Sequence, residues 1–326
     1  LHFSLFPRQM AAFRSALLLS IALISVKSFN VEKAIRYNER ESTKVYFDLP
    51  SDCGRDYKAE KWTGLTEEPQ MRCISKGHGT AKVLLIGNSY GYRTFPVLHK
   101  LFAGRYAEFR LFTKSSRMFL NKDPLDSQFD FSKLARRVIR HSKPDLIFVI
   151  EKDMEAAQNK PFDGVIEDDP IFNFTQARVR FLSDHAGSVV IDDQYFKPHL
   201  TDGVAATIAD RLKRGKTKPD DFVDLRIDSE VYLEEFKYGR RRLTALKGDN
   251  VIKNRVEDQI CLEESCYFFN QKNLHAYYGD LALHQTTEML KFVFRFERYK
   301  NEVIFRKLKP GYKRIIKHFL KERKSQ

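Results

Sequence analysis

The sequence predicts an α/β fold built on a parallel sheet, and three observations carry that prediction. Short apolar runs recur at 83–86, 109–112, 146–150 and 188–191. Stretches with helical spacing separate these runs, and Gly, Pro or Asp residues bound them. Because a continuous apolar run indicates a strand covered on both faces, its alternation with helices favours a parallel sheet.

The first half of the predicted sheet lies between residues 83 and 141. The run VLLI at 83–86 ends on a glycine and is the first strand, and YRTFPVLHKLF at 92–102 has helical spacing. FRLF at 109–112 is the second strand. FSKLARRVIRH at 131–141 places basic and apolar residues on opposite faces of a helix, which indicates a helix on the surface.

The second half follows Pro144 and Asp145, which end the basic helix. LIFVI at 146–150 is the third strand, 172–186 is a helix, and SVVI at 188–191 is the fourth strand. Residues 201–255 are charged and helical in pattern. We therefore expect a linker at 31–52, one domain at 53–295 and a basic tail at 296–326.

Composition limits the classes of partner. Hydrophobic residues make up 42% of the 326 residues, enough for a large core, and the net charge is +14. Much of the basic excess lies in the tail, as either a solvated helix face or a helix on anionic headgroups. No zinc-finger spacing or aromatic RNA-binding motif accompanies the charge, which argues against a nucleic-acid partner.

The N-terminal segment 1–30 predicts export. Arg14 precedes an apolar run at 16–24, and Val26 and Ser28 stand at positions suited to cleavage by signal peptidase. The segment is either a signal peptide or a membrane anchor, the latter as the last helix of a truncated membrane domain. Both readings place the domain in the lumen or outside the cell, where Asn173 in Asn-Phe-Thr is a candidate glycosylation site.

Four cysteines, Cys53, Cys73, Cys261 and Cys266, are spaced for disulfides rather than for metal binding. None stands in a Cys-x-x-Cys motif, and no histidines cluster near them. An even count in an exported chain predicts two disulfides. Three connectivities remain open, and pairing neighbours in sequence, 53 with 73 and 261 with 266, is the most economical.

Ser89 follows the first predicted strand at a sharp turn, in Gly87-Asn88-Ser89-Tyr90-Gly91. A strand-to-helix turn presents a hydroxyl at the C-terminal edge of the sheet, where α/β proteins bind ligands. It also directs backbone N–H groups toward developing negative charge. The Gly-x-Ser-x-Gly spacing itself is coincidental, since that elbow lies deeper in the α/β-hydrolase chain and its acid and histidine are separate.

Gly-Asn-Ser after an aliphatic strand, with an Asp and a His close together at 280 and 284, resembles the SGNH (GDSL-like) hydrolase family. More narrowly, the chain is similar to SGNH domains fused or related to membrane acyltransferase-3 proteins, which are numerous in nematodes. Shared features over 50–295 are the cysteine segment 53–73, GRYAEFRLFTKSS at 104–116, PDLIFVI at 144–150 and CLEESCYF at 261–268. The resemblance implies a three-layer sandwich with a mainly parallel central sheet, SGNH/flavodoxin-like, plus the basic C-terminal helical tail.

The resemblance implies catalytic roles for three residues. Ser89 is the expected nucleophile, His284 the general base and Asp280 the carboxylate that orients the imidazole. The family's acid usually stands three residues before the histidine, whereas Asp280 stands four before it. A Ser–His dyad oriented by a backbone carbonyl therefore remains an alternative.

The oxyanion donors are less sharply indicated. The backbone N–H of Ser89 is one, and the family's glycine block maps to Gly104 or passes its role to the backbone around Ser115 and Ser116. The asparagine expected directly after the third strand is absent, since 151–153 read Glu-Lys-Asp. Asn159 is the remaining candidate for that donor.

The function expected from these residues is O-acyl transfer or ester hydrolysis through an acyl-enzyme on Ser89. Its partners are an acyl donor, a hydroxyl-bearing glycan or lipid-like acceptor, and a membrane acyltransferase domain or protein. No cofactor and no metal is expected. The alternatives are a catalytically inactive secreted binding module of the same fold, and an adaptor that contacts anionic membranes through its tail.

Overall fold

The computed structural model describes residues 29–44, 48–66, 71–121, 130–152, 157–192, 203–254, 260–262, 264–280 and 284–293. The predicted export segment, apart from residues 29–30, and the basic tail at 296–326 lie outside these ranges. Among the helices within them, none has both the length and the apolar character needed to cross a bilayer.

The strands form two sheets. In chain order they are β1 (Gly54–Arg55), β2 (Arg72–Lys76), β3 (Ala81–Gly87), β4 (Tyr106–Thr113), β5 (Leu146–Ile150), β6 (Ser188–Asp192), β7 (Arg226–Asp228), β8 (Val251–Asn254), β9 (Cys261–Leu262) and β10 (Ser265–Tyr267).

The helices lie between and after these strands. They are α1 (Val31–Thr43), α2 (Tyr57–Thr63), α3 (Ser89–Leu101), α4 (Phe131–Ser142), α5 (Pro170–His185), α6 (Val204–Lys213), α7 (Ser229–Glu235), α8 (Lys237–Ala245) and α9 (Thr287–Val293). Short 3₁₀ turns lie at Ala157–Asn159, Ile166–Asp168 and Pro219–Leu225.

The central sheet has seven strands in the order β1-β2-β4-β3-β5-β6-β8. The five strands from β4 to β8 run parallel, and β1 and β2 extend the β4 edge in antiparallel pairing. The register pairs Gly87 with both Thr113 and Ile150. Three strands therefore end level with one another, and the loops that follow them meet at one edge of the sheet.

Both faces of this sheet are covered, which makes a three-layer α/β sandwich. Along β3, Val83 and Leu85 join one buried cluster while Leu84 and Ile86 join the other, the alternation that a strand's two-residue period imposes. Helices α1, α3, α6 and α9 supply the first cluster, and α2, α4, α5 and α8 supply the second. The predicted fold class and the predicted parallel sheet are confirmed.

Two disulfides form with the economical pairing. Cys53 is joined to Cys73 on β2, and Cys261 on β9 is joined to Cys266 on β10. The first ties the N-terminal segment to the antiparallel edge of the main sheet. The second closes a hairpin of the small antiparallel sheet, whose order is β7-β10-β9.

Three elements differ from the expectation. Residues 31–52 include helix α1 rather than a plain linker, and α1 packs along α6. The stretch 201–255 contains the strands β7 and β8 as well as helices. VIKN at 251–254 has only two apolar residues, too few for a strand to be evident from sequence, yet it completes the parallel sheet beside β6.

Candidate active site

Ser89 is the first residue of α3 and directly follows the turn that ends β3. The turn requires a glycine at position 87, whose φ is +153° and whose Cβ, if present, would lie 1.8 Å from the carbonyl oxygen of Ile150. Ser89 is partly exposed, unlike the buried residues on either side of it. The hydroxyl thus lies at the C-terminal edge of the sheet, as predicted.

Asn88 fixes the start of α3. Its side-chain oxygen accepts a hydrogen bond from Tyr90 N at 3.2 Å, which caps the helix, and its Nδ2 donates to the carbonyl of Lys152 at 2.9 Å. Asn88 is fully buried. The helix that begins with Ser89 is therefore tied to the segment after β5.

The acid and the base come from a hairpin in the C-terminal segment. Tyr278 and Gln285 form an antiparallel bridge, and Gly279 N donates to the carbonyl of His284 at 2.9 Å. The two ends of the loop are therefore close. This closure brings Asp280 beside His284 although four positions separate them.

The side chains of Ser89, His284 and Asp280 form a continuous hydrogen-bonded chain. His284 Nε2 lies 2.8 Å from Ser89 Oγ, and His284 Nδ1 lies 2.8 Å from Asp280 Oδ2. Asp280 Oδ1 also accepts a hydrogen bond from His284 N at 3.1 Å. The structure thus brings together all three residues predicted for catalysis, and a carboxylate rather than a backbone carbonyl contacts the imidazole.

Buried charges surround Asp280. Arg93 on α3 donates from Nη1 to Asp280 Oδ2 at 3.3 Å, and its Nη2 lies 3.9 Å from Glu41 Oε2 on α1. Burial alone would raise the pKa of Asp280, but the hydrogen bonds from His284 and the charges of His284 and Arg93 outweigh it, so the pKa is lowered. Asp280 is therefore a carboxylate at neutral pH.

Two buried tyrosines are near the site: Tyr90, and Tyr278 at the start of the hairpin. The Tyr90 ring lies 4.9 Å from the His284 ring, and Lys152 Nζ lies 5.6 Å from the Tyr90 centroid. Burial raises the pKa of Tyr90, and burial also raises the pKa of Tyr278. Both phenols are therefore neutral and compete with neither His284 nor Ser89 for protons.

Two of the predicted oxyanion donors are not at the site. Gly104 lies in the turn before β4, near Tyr106, which pairs with Ala81 at the start of β3. It therefore lies at the opposite edge of the sheet from Ser89, and its predicted role is wrong. A glycine in a turn between helix and strand gives no indication of which edge it occupies.

Asn159 is also used elsewhere. Its Nδ2 donates to the carbonyl of Glu235 and its Oδ1 accepts from Gly239 N at 3.1 Å. Both ends of the amide therefore fix the junction between α7 and α8. The structure does not support Asn159 as an oxyanion donor.

The turn at Ser115 and Ser116 does lie at the correct edge. It follows Thr113, which pairs with Gly87, and Lys114 N donates to the carbonyl of Gly87 at 3.2 Å. Ser116 has a φ of +58°, an uncommon conformation for a residue other than glycine. Of the alternatives for the second donor, this turn is the one that the fold places near Ser89.

Glu151 occupies the position where the family's asparagine was expected. Its carboxylate accepts from Phe119 N at 2.7 Å and from Leu120 N at 2.8 Å, and the residue is buried. It thereby fixes the loop that follows the Ser115–Ser116 turn. Its role is in shaping this loop, a contact that no sequence motif indicates.

The glycosylation candidate lies away from this site. Asn173 is exposed in the first turn of α5, and its Nδ2 donates to the carbonyl of Glu167 at 2.6 Å. Its modification stays a prediction. Among the described residues, no group of three or more His, Cys, Asp or Glu side chains is arranged to bind a metal.

Sequence reasoning missed two residues of the site, Glu41 and Arg93. Glu41 lies in a polar stretch, VEKAIRYNEREST, whose letters indicate an exposed helix. Arg93 follows Tyr92 on a helix that was identified, but its burial could not be read from one charged letter among apolar neighbours. An arginine one helical turn after the candidate nucleophile, on the inward face of α3, was the available signal.

Comparison with known proteins bears on the identity of the fold. The family model described as SGNH domain (fused to AT3 domains) matches residues 54–295. The periplasmic domain of a lipopolysaccharide acetyltransferase from Salmonella ser. Paratyphi A aligns in structure over 84% of this chain and 97% of that one, at 14% identity and a TM-score of 0.48. No curated relative matches the sequence. The family model spans well over half of the chain, so the chain belongs to the family of SGNH domains that are fused to AT3 domains.

Proposed function

We propose that this domain carries out serine-dependent acyl-ester chemistry, with Ser89 as the nucleophile. The observation that carries the proposal is the pair of 2.8 Å contacts that join Ser89 Oγ, the His284 ring and the Asp280 carboxylate. A serine hydroxyl is a weak nucleophile until a base removes its proton. His284 is within reach to do so, and Asp280 orients it.

Acylation follows from this geometry. Asp280 accepts the hydrogen bond from Nδ1–H, so Nε2 is free to accept the proton of Ser89. The Oγ–C bond to the ester carbonyl forms as that proton moves to Nε2, and the carbonyl electron pair becomes an oxyanion. The intermediate then collapses, the ester C–O bond breaks, and the leaving alkoxide takes the proton from Nε2.

Deacylation repeats these steps with a second nucleophile. Water or an acceptor hydroxyl gives its proton to Nε2 and attacks the acyl-enzyme, and Ser89 Oγ leaves and is reprotonated by His284. Transfer to a hydroxyl-bearing glycan or lipid-like acceptor is the outcome we propose. The family's association with membrane acyltransferase domains supports a membrane-bound partner that supplies the acyl group.

The oxyanion is stabilised by backbone donors. The N–H of Ser89 lies at the first position of α3, where helix N–H groups have no intrahelical acceptor. The turn at Ser115 and Ser116 is the proposed second donor. Removing one such donor from a site of this type lowers the rate by about 10²–10³-fold.

The domain is proposed to act in the lumen or outside the cell. Both disulfides support an oxidising compartment, since cytosolic proteins rarely keep them. Whether a signal peptide or an anchor directs the chain there depends on residues 1–28, which are outside the described part.

A fluorophosphonate probe tests the proposal on the full chain. We expect labelling of the wild type and hydrolysis of short aryl esters, both abolished in Ser89→Ala. Ser51→Ala is the matched control, because it removes an exposed hydroxyl from a residue that takes no part in the site, and it should still be labelled. Absence of labelling together with absence of ester turnover in the folded wild type would refute the enzyme.

One observation favours a second candidate, an inactive binding module. The asparagine that would donate to the oxyanion is replaced by Glu151, and its carboxylate is engaged with Phe119 and Leu120. Loss of that donor would weaken transition-state binding while leaving the pocket intact. Ligand binding without probe labelling would support this reading.

A further inference from the structure

Arg93 is buried between two carboxylates that come from distant parts of the chain. Its exposed fraction is 1%, and its guanidinium contacts Asp280 of the C-terminal hairpin and Glu41 of α1. Arg93 Nη1 also donates to the carbonyl of Lys44 at 2.5 Å, just after α1 ends. The polar network of the site therefore extends past Asp280, by an ion pair to α1 and a hydrogen bond to the residue that follows it, and this helix precedes the family match at 54–295.

The net charge of Glu41, Arg93 and Asp280 matches and opposes that of a protonated His284 imidazole. Glu41 and Asp280 each carry one negative charge and Arg93 carries one positive charge, so these three buried or partly buried groups sum to −1. Arg40 also lies 3.3 Å from Glu41 Oε1, but its side chain is mostly exposed, so solvent screens its charge. An imidazolium formed on His284 during the reaction brings the sum to zero inside a buried region. Because the attraction between opposite charges is stronger away from water, this balance favours the protonated intermediate.

Helix α1 also fixes the backbone that bears His284. Glu41 Oε2 accepts from Thr287 N at 3.2 Å, and the buried Asn38 donates to the carbonyl of Leu274 and accepts from Ala276 N, both at 2.8 Å. A Cβ on Gly279 would lie 2.5 Å from the carbonyl oxygen of Glu41. The helix thus lies directly against both ends of the hairpin.

We propose that Glu41 and Arg93 are positioning residues of the acyl-transfer site and that α1 is an integral part of it. This rests on the proposed function. Glu41 fixes Arg93, Arg93 fixes Asp280, and Asp280 orients His284. Glu41 thereby keeps the buried guanidinium neutralised without drawing Asp280 away from the imidazole.

The pH dependence of turnover separates positioning from a purely structural role. The charged or titratable groups facing this network are Tyr37, Arg40 and Glu41 on α1, Tyr90 and Arg93 on α3, Lys152 after β5, and Tyr278 and Glu288 in the C-terminal segment. Glu41→Gln removes a negative charge, so the acidic limb of kcat/KM should move to lower pH. Arg93→Gln removes a positive charge, so the limb should move to higher pH, each by about one unit.

The variants are compared with Glu39→Gln, a matched control on the exposed side of α1, where Glu39 pairs with Lys213 at 2.6 Å. Glu41→Gln should lower kcat about tenfold with little change in KM, and Arg93→Lys should restore part of the activity lost in Arg93→Gln. If Glu41→Gln matches Glu39→Gln in both kcat and the acidic limb, the proposal is overturned.

A readout independent of turnover covers two other cases, an Arg93 variant that does not fold and a wild type that hydrolyses no ester. The ¹⁵N resonances of the His284 ring, followed against pH in Ser89→Ala and in Ser89→Ala with Glu41→Gln, should show a lower titration midpoint in the double variant. That shift without ester turnover would uphold the network and refute the enzyme. Identical midpoints would refute the network.

A second, independent observation concerns the groove between α4 and α5. Five cationic side chains surround a pocket of about 430 Å³ there, whose only acidic lining residue is Asp130. The cations are Lys133, Arg136, Arg137 and Arg140 from α4 and Arg178 from α5. A cavity of this size is within the range of small-ligand sites.

Aromatic rings order the guanidinium groups of this pocket. Arg136 and Arg140 lie over the Phe181 ring at 4.8 and 5.3 Å, and Arg178 lies over the Phe174 ring at 4.8 Å. Within the described ranges, the four cations of α4 have no carboxylate within ion-pair distance. Arginines stacked on rings keep their N–H edges available for anions.

We propose that this groove binds an oligosaccharide that carries sulfate or phosphate groups. Planar guanidinium groups match such oxyanions in geometry and charge. A flat anionic membrane is a poorer match, because none of the exposed large apolar side chains among the described residues lines the pocket, so nothing there anchors it in a bilayer. The concave shape favours a single sugar chain.

Binding of a sulfated oligosaccharide of the heparin type to the full chain tests this. Arg136→Gln with Arg140→Gln should weaken binding about tenfold or more, while Arg180→Gln with Arg226→Gln, which removes the same charge from exposed positions outside the pocket, should change it little. Equal losses in the two double variants would show that binding depends on net charge alone, and this would overturn the proposed site. Binding to anionic vesicles but not to the glycan, lost in the first double variant, would also overturn it in favour of a membrane.

Discussion

Two arginines, Arg93 and Arg242, lie buried on opposite faces of the central sheet, with exposed fractions of 1% and 2%. Each contacts a carboxylate. Arg93 on α3 contacts Asp280, whose other neighbour is the imidazole of His284. Arg242 on α8 donates from Nε to Asp169 at 2.7 Å, and Asp169 caps the start of α5 through Ile171 N and Phe172 N.

The two pairs differ in the further hydrogen-bond partners of the carboxylate. Asp169 has its remaining capacity filled by backbone N–H groups, and Arg242 Nη1 donates to the carbonyl of Gln158. Within the described ranges, these contacts join helices and end on backbone groups. In the other network, the carboxylate leads to a ring nitrogen and then to a hydroxyl. A buried Arg–Asp pair is therefore not by itself a sign of function. The sign of function is the other group that the carboxylate contacts, here the ring of His284.

Asp280→Asn gives the largest expected effect and separates the two networks most sharply. An amide cannot stabilise the imidazolium and favours the wrong tautomer of His284, so kcat/KM should fall by about 10³–10⁴-fold, or about 4–5.5 kcal/mol of barrier. The free energy of unfolding should change less than in Asp169→Asn, because Glu41 still neutralises Arg93. Ester turnover and thermal melting of the same preparation measure both quantities.

Asp169→Asn is the mirror experiment. It leaves the buried Arg242 without its carboxylate, and breaking a buried pair in this way destabilises a protein by about 3–5 kcal/mol. Turnover per folded molecule should be unchanged. Urea unfolding monitored alongside ester hydrolysis checks this, and the comparison fails if Asp169→Asn lowers kcat at full folding or if Asp280→Asn leaves it unaltered.

Much of the fold was readable from the sequence because its signals are local. The runs at 83–86, 109–112, 146–150 and 188–191 became β3 to β6; β5 has the predicted bounds, and the other three are longer by one to four residues. Strand β8 was not readable, since Val251 and Ile252 alone make no apolar run and their place beside β6 is set by tertiary contacts. The packing of helix α1 could not be predicted for a similar reason, because Asn38 and Glu41 are polar residues whose side chains are buried by tertiary contacts.

The residues of the candidate site also fall into those that local sequence predicts and those that only the folded chain brings together. Ser89 follows a strand and a glycine, so its place at the sheet edge could be predicted from its neighbours. The Asp280 spacing looked irregular because the hairpin that closes between Tyr278 and Gln285 is a long-range product of folding. Gly104 was misplaced because a glycine turn occurs at either edge of a sheet. Glu41 is 239 positions from Asp280, and no local pattern joins them.

Glu288 on α9 gives the smallest of the expected effects and is a third kind of carboxylate, partly buried rather than buried. Its Oε1 accepts from Asn270 at 3.0 Å and Asn273 at 3.1 Å, and its Oε2 faces His275 at 3.7 Å. The contact with His275 chiefly, with the hydrogen bonds from the two amides, outweighs burial and lowers the pKa of Glu288 to about 2. Among the residues that the structure describes, no arginine takes part in these contacts.

A lowered carboxylate pKa stabilises the fold above the unfolded value, near 4.3, and that stability is lost as pH falls through the folded value. Because Glu288 is only partly buried and solvent screens its charge, Glu288→Gln should lower the free energy of unfolding by about 1–2 kcal/mol at pH 7, with the difference from wild type vanishing near pH 2. Urea unfolding across this range measures it, with the exposed Glu234→Gln on α7 as control. A difference that stays constant with pH would mean that the amides, rather than the charge, carry the interaction. Unchanged turnover per folded molecule would mean that Glu288, like Asp169, is a structural carboxylate. Structural carboxylates would then differ from Asp280 in the group that they contact and not in how deeply they are buried.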